Sequence, residues 1–270
     1  VKIIPAEKKI IGYTTKNSGG VPSNFKNYFV LQFDKPFTYT AAVKDGKIDS
    51  RTTEAGANHA GGIIGFHTLR GEQVNVRVAS SFISHEQAEL NLKELGDRTL
   101  EEVAKAGRDE WNRVLGRIEV QDTDLDRLRT FYSCFYRSVL FPRSFYEIDA
   151  QGQVMHYSPY NGEVLPGYMF TDTGFWDTFR SQFPLTNILH PTMQGQYMQA
   201  LLDAQEQCGW LPSWSFPSET GGMVGNHSIS LLTDAWVKGI RTFDPEKALK
   251  AYAHEAMNKG PWGGANGRVR

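Results

Sequence analysis

Nine consecutive residues, Asp172-Thr173-Gly174-Phe175-Trp176-Asp177-Thr178-Phe179-Arg180, put two carboxylates, an indole, two phenyl rings and a guanidinium side by side. Sugar recognition uses this combination. An indole face stacks on the C–H surface of a pyranose, while carboxylate and guanidinium groups bind its hydroxyls in bidentate fashion. The same stretch also reads as an ordinary helix start, with Asp172 or Thr173 as the cap and Trp176 in the core. Three more aromatics follow in Trp210-Leu211-Pro212-Ser213-Trp214-Ser215-Phe216, and then a polar, Gly-rich loop from Gly221 to Ser228. Alternating helices and long aromatic loops suit a helical barrel whose loops, Asn226 and His227 among them, line one pocket. On the plainer reading Asn226 or Ser228 caps the next helix and His227 is a hydrogen-bonded structural residue.

Other chemistries find little support. Ser181, Ser213 and Ser215 lack a nearby His/Asp arrangement and the nucleophile-elbow spacing of serine hydrolases. Seven histidines without a His-x-x-x-His pair argue against zinc. Ser18-Gly19-Gly20 lacks the lysine of a phosphate-binding loop. A balance of 29 Lys+Arg against 30 Asp+Glu removes the electrostatic case for nucleic acid, which needs a basic face to displace phosphate counterions. No apolar run approaches the roughly 20 residues of a membrane span. No signal peptide stands at the start of the chain, and export stays open. Cys134 and Cys208 have no metal-ligand spacing and are expected as two buried helical thiols rather than a disulfide. With 40% hydrophobic and 12% aromatic residues, the chain is expected to collapse into a globular core.

The elements that must position these residues change period along the chain. Residues 28–33, 39–43, 62–66 and 74–78 read as short strands, and Asp45-Gly46 as a tight hairpin turn leading to Lys47-Ile48. After Ser84 the spacing is helical. Leu100, Val103, Ala104, Gly107, Trp111, Val114 and Leu115 form one stripe, with Thr99 and Glu102 as a capping box. Further stripes run through Leu125, Leu128, Phe131, Phe135 and Val139, and through Met193, Tyr197, Leu201, Ala204 and Cys208, the latter stopped by Gly209. Ile229, Leu232, Trp236 and Ile240 make the next. The last opens on Asp244-Pro245 and continues through Ala248, Leu249, Tyr252 and Met257. Strands first and helices afterwards predict two domains and not an alternating parallel sheet. Gly260 to Arg268 reads as a loop, and five or so helices after a sandwich look like part of a larger domain.

Taken together, Gly174-Phe175-Trp176-Asp177-Thr178-Phe179-Arg180, Gly209-Trp210-Leu211-Pro212 and Met223-Val224-Gly225-Asn226-His227 resemble glycoside hydrolase family 92. The resemblance extends to Phe82-Ile83-Ser84 with Glu86-Gln87-Ala88, and to Phe131-Tyr132-Ser133-Cys134-Phe135-Tyr136-Arg137 ahead of Pro142-Arg143. It implies a calcium-dependent, inverting exo-α-mannosidase, α-1,2 in many members, acting in the periplasm or outside the cell. The implied fold is part of a β-sandwich at 1–85, a helical linker at 86–120, and the first part of an (α/α)6 barrel at 121–270. Trp176 and Asp177 match the family's Trp-Asp pair in the terminal mannose subsite, and Asn226 and His227 lie on the loop facing it. Arg180 is added on its chemistry alone. The family's catalytic acid, water-activating carboxylates and most calcium contacts match no residue here. The expected partners are therefore a mannose-containing oligosaccharide and the remainder of such an enzyme. A trehalase-like hydrolase, a glycoside phosphorylase and a non-catalytic carbohydrate-binding fragment stay as alternatives.

Overall fold

A computed structural model describes residues 1–17, 19–219, 221 and 225–260. Met223 and Val224 of the polar loop, and the terminal loop beyond Gly260, lie outside the described residues. The chain divides into two compact units. One comprises residues 1–17, 24–98 and 147–153, and the other residues 18–23, 99–146 and 154–270.

The first unit is built from antiparallel strands. β1 (Lys2–Ile4), β2 (Lys9–Thr14) and β3 (Asn27–Phe33) are followed by β4 (Tyr39–Lys44), β5 (Lys47–Asp49), β6 (Ala60–Gly65) and β7 (Val76–Ser81). They form two sheets, in the orders β1-β2-β3-β7 and β5-β4-β6. The register sets Ile3 against Ile10 and Ile10 against Leu31, so a period of two delivers one apolar row, of which Ile3 and Ile10 are buried. The predicted hairpin is present, with Asp45 and Gly46 both at positive φ (48° and 80°) and Lys44 paired with Lys47. This turn pattern suits the right-handed twist of the flanking strands. The strand expected at 74–78 lies at 76–81, and Val76 and Val78 are exposed.

Helix α1 (His85–Lys93) belongs to this unit and packs on β3 and β7. Ser84 caps it by accepting from Gln87 N, and Ala88 is fully buried.

The second unit starts with α2 (Leu100–Leu115) and α3 (Leu125–Ser138). The capping box is formed: Glu102 N donates to Thr99 Oγ1 at 3.2 Å and Thr99 N to Glu102 Oε2 at 2.8 Å. Asp124 caps α3 by accepting from Asp126 N and Arg127 N. Short strands follow, β8 (Arg143–Ser144), β10 (Val154–Tyr157), β11 (Val164–Pro166), β12 (Phe170–Thr171) and β13 (Thr173–Gly174), while the intervening β9 (Glu147–Ile148) falls in the first unit. Then come α4 (Phe175–Thr178), α5 (Gln182–Leu189), α6 (Pro191–Cys208), β14 (Trp214–Ser215), α7 (Ser228–Val237) and α8 (Pro245–Met257). The pairs β10 with β11, β12 with β8 and β13 with β14 all run antiparallel.

The core of this unit joins Phe175, Phe183, Met198, Leu201, Leu202, Leu211, Leu231, Leu232, Ala235, Ile240, Phe243, Ala248 and Ala251. Three expectations need correction. On α8 the buried face is Ala248, Ala251 and Glu255, spaced three and four apart, and Leu249 and Met257 lie off it and are exposed. Helix α7 ends at Val237 with Gly239 at φ 92°, so Ile240 reaches the core from the following loop. Cys134 is exposed on α3, whereas Cys208 is half-buried, and burial raises its thiol pKa to about 11.

Two glycines give one substitution opposite signs. Buried Gly195 of α6 lets the chain at Thr242 approach closely, and an added Cβ would collide with Thr242 Oγ1. Gly107 of α2 is exposed with open space around it. Gly195→Ala should cost roughly 1–3 kcal/mol from overpacking. Gly107→Ala should add about 0.5–1 kcal/mol from helix propensity. Thermal melts of the two variants check this, and equal effects would show that the close approach is absent.

Candidate functional site

The aromatic-carboxylate stretch folds as a strand that turns into a single helical turn. β12 and β13 are separated by Asp172, which sits at φ 60°, a left-handed conformation that Asp tolerates better than most residues. Asp172 is an ion-pair partner of Arg143, with Nε to Oδ2 at 3.1 Å, and this holds the bend. Thr171 Oγ1 donates to Pro217 O at 2.8 Å. β13 then pairs with β14, Thr173 with Ser215 and Gly174 with Trp214. Gly174, not Asp172 or Thr173, stands at the N-cap of α4 and offers no side-chain cap.

Within α4 neighbouring residues part company. Phe175 is buried in the core, 2% exposed, and Trp176 beside it is 41% exposed. Asp177 is exposed and makes no hydrogen bond or ion pair with any described residue. The core role considered for Trp176 is therefore taken by Phe175. Arg180 folds back on the turn: its Nη1 donates to Trp176 O at 2.9 Å, and its guanidinium lies 4.5 Å from the Phe179 ring centroid and 5.6 Å from that of Trp176. Phe179 in turn stacks face to face on His227, centroids 4.3 Å apart and planes 16° from parallel.

So the structure brings Trp176, Arg180 and His227 together through Phe179, a residue whose role no local sequence signal marks. Asn226 is used differently. Its Nδ2 donates to Leu211 O at 3.2 Å and Glu255 Oε2 at 3.0 Å, and its Oδ1 accepts from Ser228 N at 3.2 Å. Its amide thus ties the loop to α8 and to the first residue of α7; the N-cap position is His227, without a side-chain cap, and not Asn226 or Ser228. Glu255 is buried and also accepts from Leu211 N.

Glu219 is a second organiser that the sequence patterns do not reveal. It is buried, and its carboxylate accepts from Ser213 N, Ser213 Oγ, Trp214 N and Gly221 N. Its one sequence signal is an acidic residue within a small, polar Gly/Ser loop. Nearby, a cleft of about 320 Å³, its open mouth included, is lined by Tyr160, Thr173, Phe175, Tyr197 and Ser215 among others. None of the five predicted site residues lines it. Tyr160 OH and Ser215 Oγ share a hydrogen bond there at 3.1 Å.

Among the described residues, no group of three or more His, Cys, Asp or Glu side chains could hold a metal ion. The arrangement does present a half-exposed indole, an unengaged carboxylate and a guanidinium on one turn, which suits a polyhydroxylated ring better than proton transfer.

The stack also sets the charge on His227. Burial lowers its pKa below the ordinary imidazole value, and the positive charge of Arg180 lowers it further. A depressed imidazole pKa means that stability is present above the ordinary histidine range and is lost as pH falls through the folded value. Arg180→Gln should therefore move the His227 titration partway back up, leaving the part due to burial. An NMR titration of the imidazole in both proteins checks this, and an unmoved titration would show that Arg180 does not sit beside the ring.

The family model of the glycosyl hydrolase family 92 N-terminal domain matches residues 1–81, and that of the family's catalytic domain matches residues 87–269. Among curated proteins none matches the chain. Among solved structures, the inverting mannosidase BT2199 of Bacteroides thetaiotaomicron VPI-5482 is 42% identical at a TM-score of 0.95, over 99% of this chain and 36% of that one. The α-mannosidase BT3965 of Bacteroides thetaiotaomicron, solved with mannoimidazole, is 27% identical at 0.79, over 92% of this chain and 33% of that one. The chain spans about a third of the length of these relatives. With both family models matched in order along nearly its whole length, the chain belongs to glycosyl hydrolase family 92.

Proposed function

We propose that this chain forms part of the sandwich and the first part of an (α/α)6 barrel in an exported, inverting exo-α-mannosidase. Its substrates on this reading are terminal α-mannosides, α-1,2-linked, of N-glycan or mannan type. The observation that carries the reading is the α4 turn, where Trp176 and Asp177 stand outside the core and Asp177 makes no hydrogen bond or ion pair with any described residue. One solved relative is an inverting mannosidase and another was solved with mannoimidazole, which supports a mannose-like ligand.

In this proposal Trp176 walls the sugar ring, Asp177 accepts hydrogen bonds from adjacent hydroxyls, and Arg180 donates to them from its clamped position. An inverting glycosidase works by single displacement. One carboxylic acid protonates the leaving oxygen and a carboxylate on the opposite face activates water. Neither role is assigned to a residue of this chain, so 1–270 alone should release no mannose. The reading also includes calcium dependence. Calcium takes 6–8 oxygen ligands. Among the described residues no group of three or more His, Cys, Asp or Glu side chains could hold a metal ion, and the proposal assigns no calcium ligand to this chain.

Asp177→Ala in the complete enzyme provides the central test. A hydrogen bond to a charged group is worth about 1.5–3 kcal/mol, so kcat/KM for an aryl α-mannoside should fall at least about tenfold. Melting temperature should hardly change, because the exposed side chain makes no hydrogen bond or ion pair with any described residue. Lost stability with intact turnover would mean that the turn is structural, and faster turnover of aryl glucosides would reassign the sugar.

Chelation supplies a second check. A calcium chelator should abolish turnover of the complete enzyme, and added calcium should restore it. The melting curve of residues 1–270 should not respond to millimolar calcium. A clear calcium-induced rise there would place ligands in this chain and correct the donor-set argument.

A further inference from the structure

We infer that Glu219 is a positioning residue for the sugar-binding turn, acting through Trp214 and Gly174 on Trp176 and Asp177; this rests on the mannose-subsite reading above. Glu219 touches none of the proposed sugar ligands. The residue is 6% exposed, and each carboxylate oxygen accepts two bonds: Oε2 from Ser213 N at 2.5 Å and Trp214 N at 3.2 Å, and Oε1 from Ser213 Oγ at 3.0 Å and Gly221 N at 2.7 Å. Ser215 bridges back to Glu219, and Phe216 N donates to Ser218 O at 2.7 Å, which closes residues 213–219 into a compact hairpin around the carboxylate.

That hairpin is the platform on which α4 starts. Trp214 and Ser215 form β14, the pairing partner of β13. The Trp214 indole lies against Gly174 so closely that a Cβ built there would meet ring atoms at 3.0–3.2 Å. Gly174 has φ −104° and ψ 118°, which any residue can adopt, so the glycine serves the close approach and not the backbone angle. Trp176 and Asp177 are the second and third residues after Gly174. A shift of Trp214 is therefore delivered to them within one helical turn.

The chemistry makes Glu219 specific for the task. Three backbone N–H groups and one hydroxyl converge on it, and a carboxylate can accept all four. Glutamine keeps the size and replaces one acceptor oxygen by a donor NH2, which would face one of those donor pairs. The hairpin must then rearrange, although little buried apolar volume changes.

The test uses the complete mannosidase, with kcat and KM for an aryl α-mannoside and the inhibition constant of mannoimidazole. It compares Glu219→Gln, Asp177→Ala and the double variant. Misplacement by an ångström can cost up to about a hundredfold, so Glu219→Gln should weaken mannoimidazole roughly ten- to a hundredfold. With Asp177 already removed, the same change should cost clearly less, since coupled residues fail to add. Effects that multiply, or a Glu219→Gln enzyme that melts earlier yet binds mannoimidazole as before, would overturn the inference. An inert Asp177→Ala would instead sink the mannose-subsite reading beneath it. Should Glu219→Gln fail to fold, Gly174→Ala carries the same cycle, because its Cβ displaces the Trp214 indole while the four bonds to the Glu219 carboxylate are kept; additivity there overturns the inference, since the relay to the turn runs through that ring.

Discussion

A carboxylate taken out of water has to regain its hydrogen bonds inside the protein, or it destabilises the fold by several kcal/mol. In this chain Glu219 regains four, and the order of the neighbouring segments follows from that requirement. Ser213, Trp214 and Gly221 must all turn their N–H groups inward. Their chain direction then leaves β14 in register with β13, and β13 runs directly into α4. Glu255 does the same on a smaller scale, taking Leu211 N and the Asn226 amide and so fixing both ends of the segment between α6 and α7. Two buried acids, and not a continuous sheet, hold the loop layer of the helical unit.

The apolar core supplies the other constraint. Phe175 is clustered with Phe183, Met198 and Leu201, and a one-turn helix that buries its first residue must turn the next two outward. The exposure of Trp176 and Asp177 is thus a consequence of anchoring Phe175. Leaving the Trp176 indole 41% exposed forgoes part of an apolar burial that is worth about 1.5–3 kcal/mol when a large side chain is fully buried. A half-exposed Trp beside an unengaged carboxylate is the kind of local loss that binding sites retain.

Much of the architecture was legible because its signals are local. Asp45-Gly46, the Thr99–Glu102 box and Asp244-Pro245 each satisfy or pre-set backbone groups within a few residues, so sequence alone exposes them. The family pattern at Gly174–Arg180 was legible for a different reason, since several rare residue types stand at fixed spacing there. What stayed hidden depends on distant partners. Glu219 and Glu255 look like surface acids until the N–H groups that need them are folded around them. Leu249, Met257 and Cys134 sit at helical spacing but off the buried faces, because which stripe faces inward is set by the neighbouring helices. The pairing of Phe179 carries no local signal, because its partner, His227, is 48 positions away in sequence.

The stack of Arg180, Phe179 and His227 explains how two adjacent loop residues acquire different duties. Asn226 lies two residues before α7, where its Oδ1 accepts from Ser228 N and its NH2 donates to Glu255 and Leu211 O, so both ends of the amide are engaged by the fold. His227 is one residue on, and its side chain leaves toward α4, where it meets an arene face instead of a polar partner. Contacts between flat rings fix orientation without consuming donors or acceptors. The α4 turn is therefore joined to the start of α7 in a way that leaves the remaining guanidinium donors and the imidazole nitrogens without hydrogen bonds among the described residues. Had the same connection been made by a salt bridge to Asp177, the turn would be just as well held, but its carboxylate would no longer be free to meet a sugar.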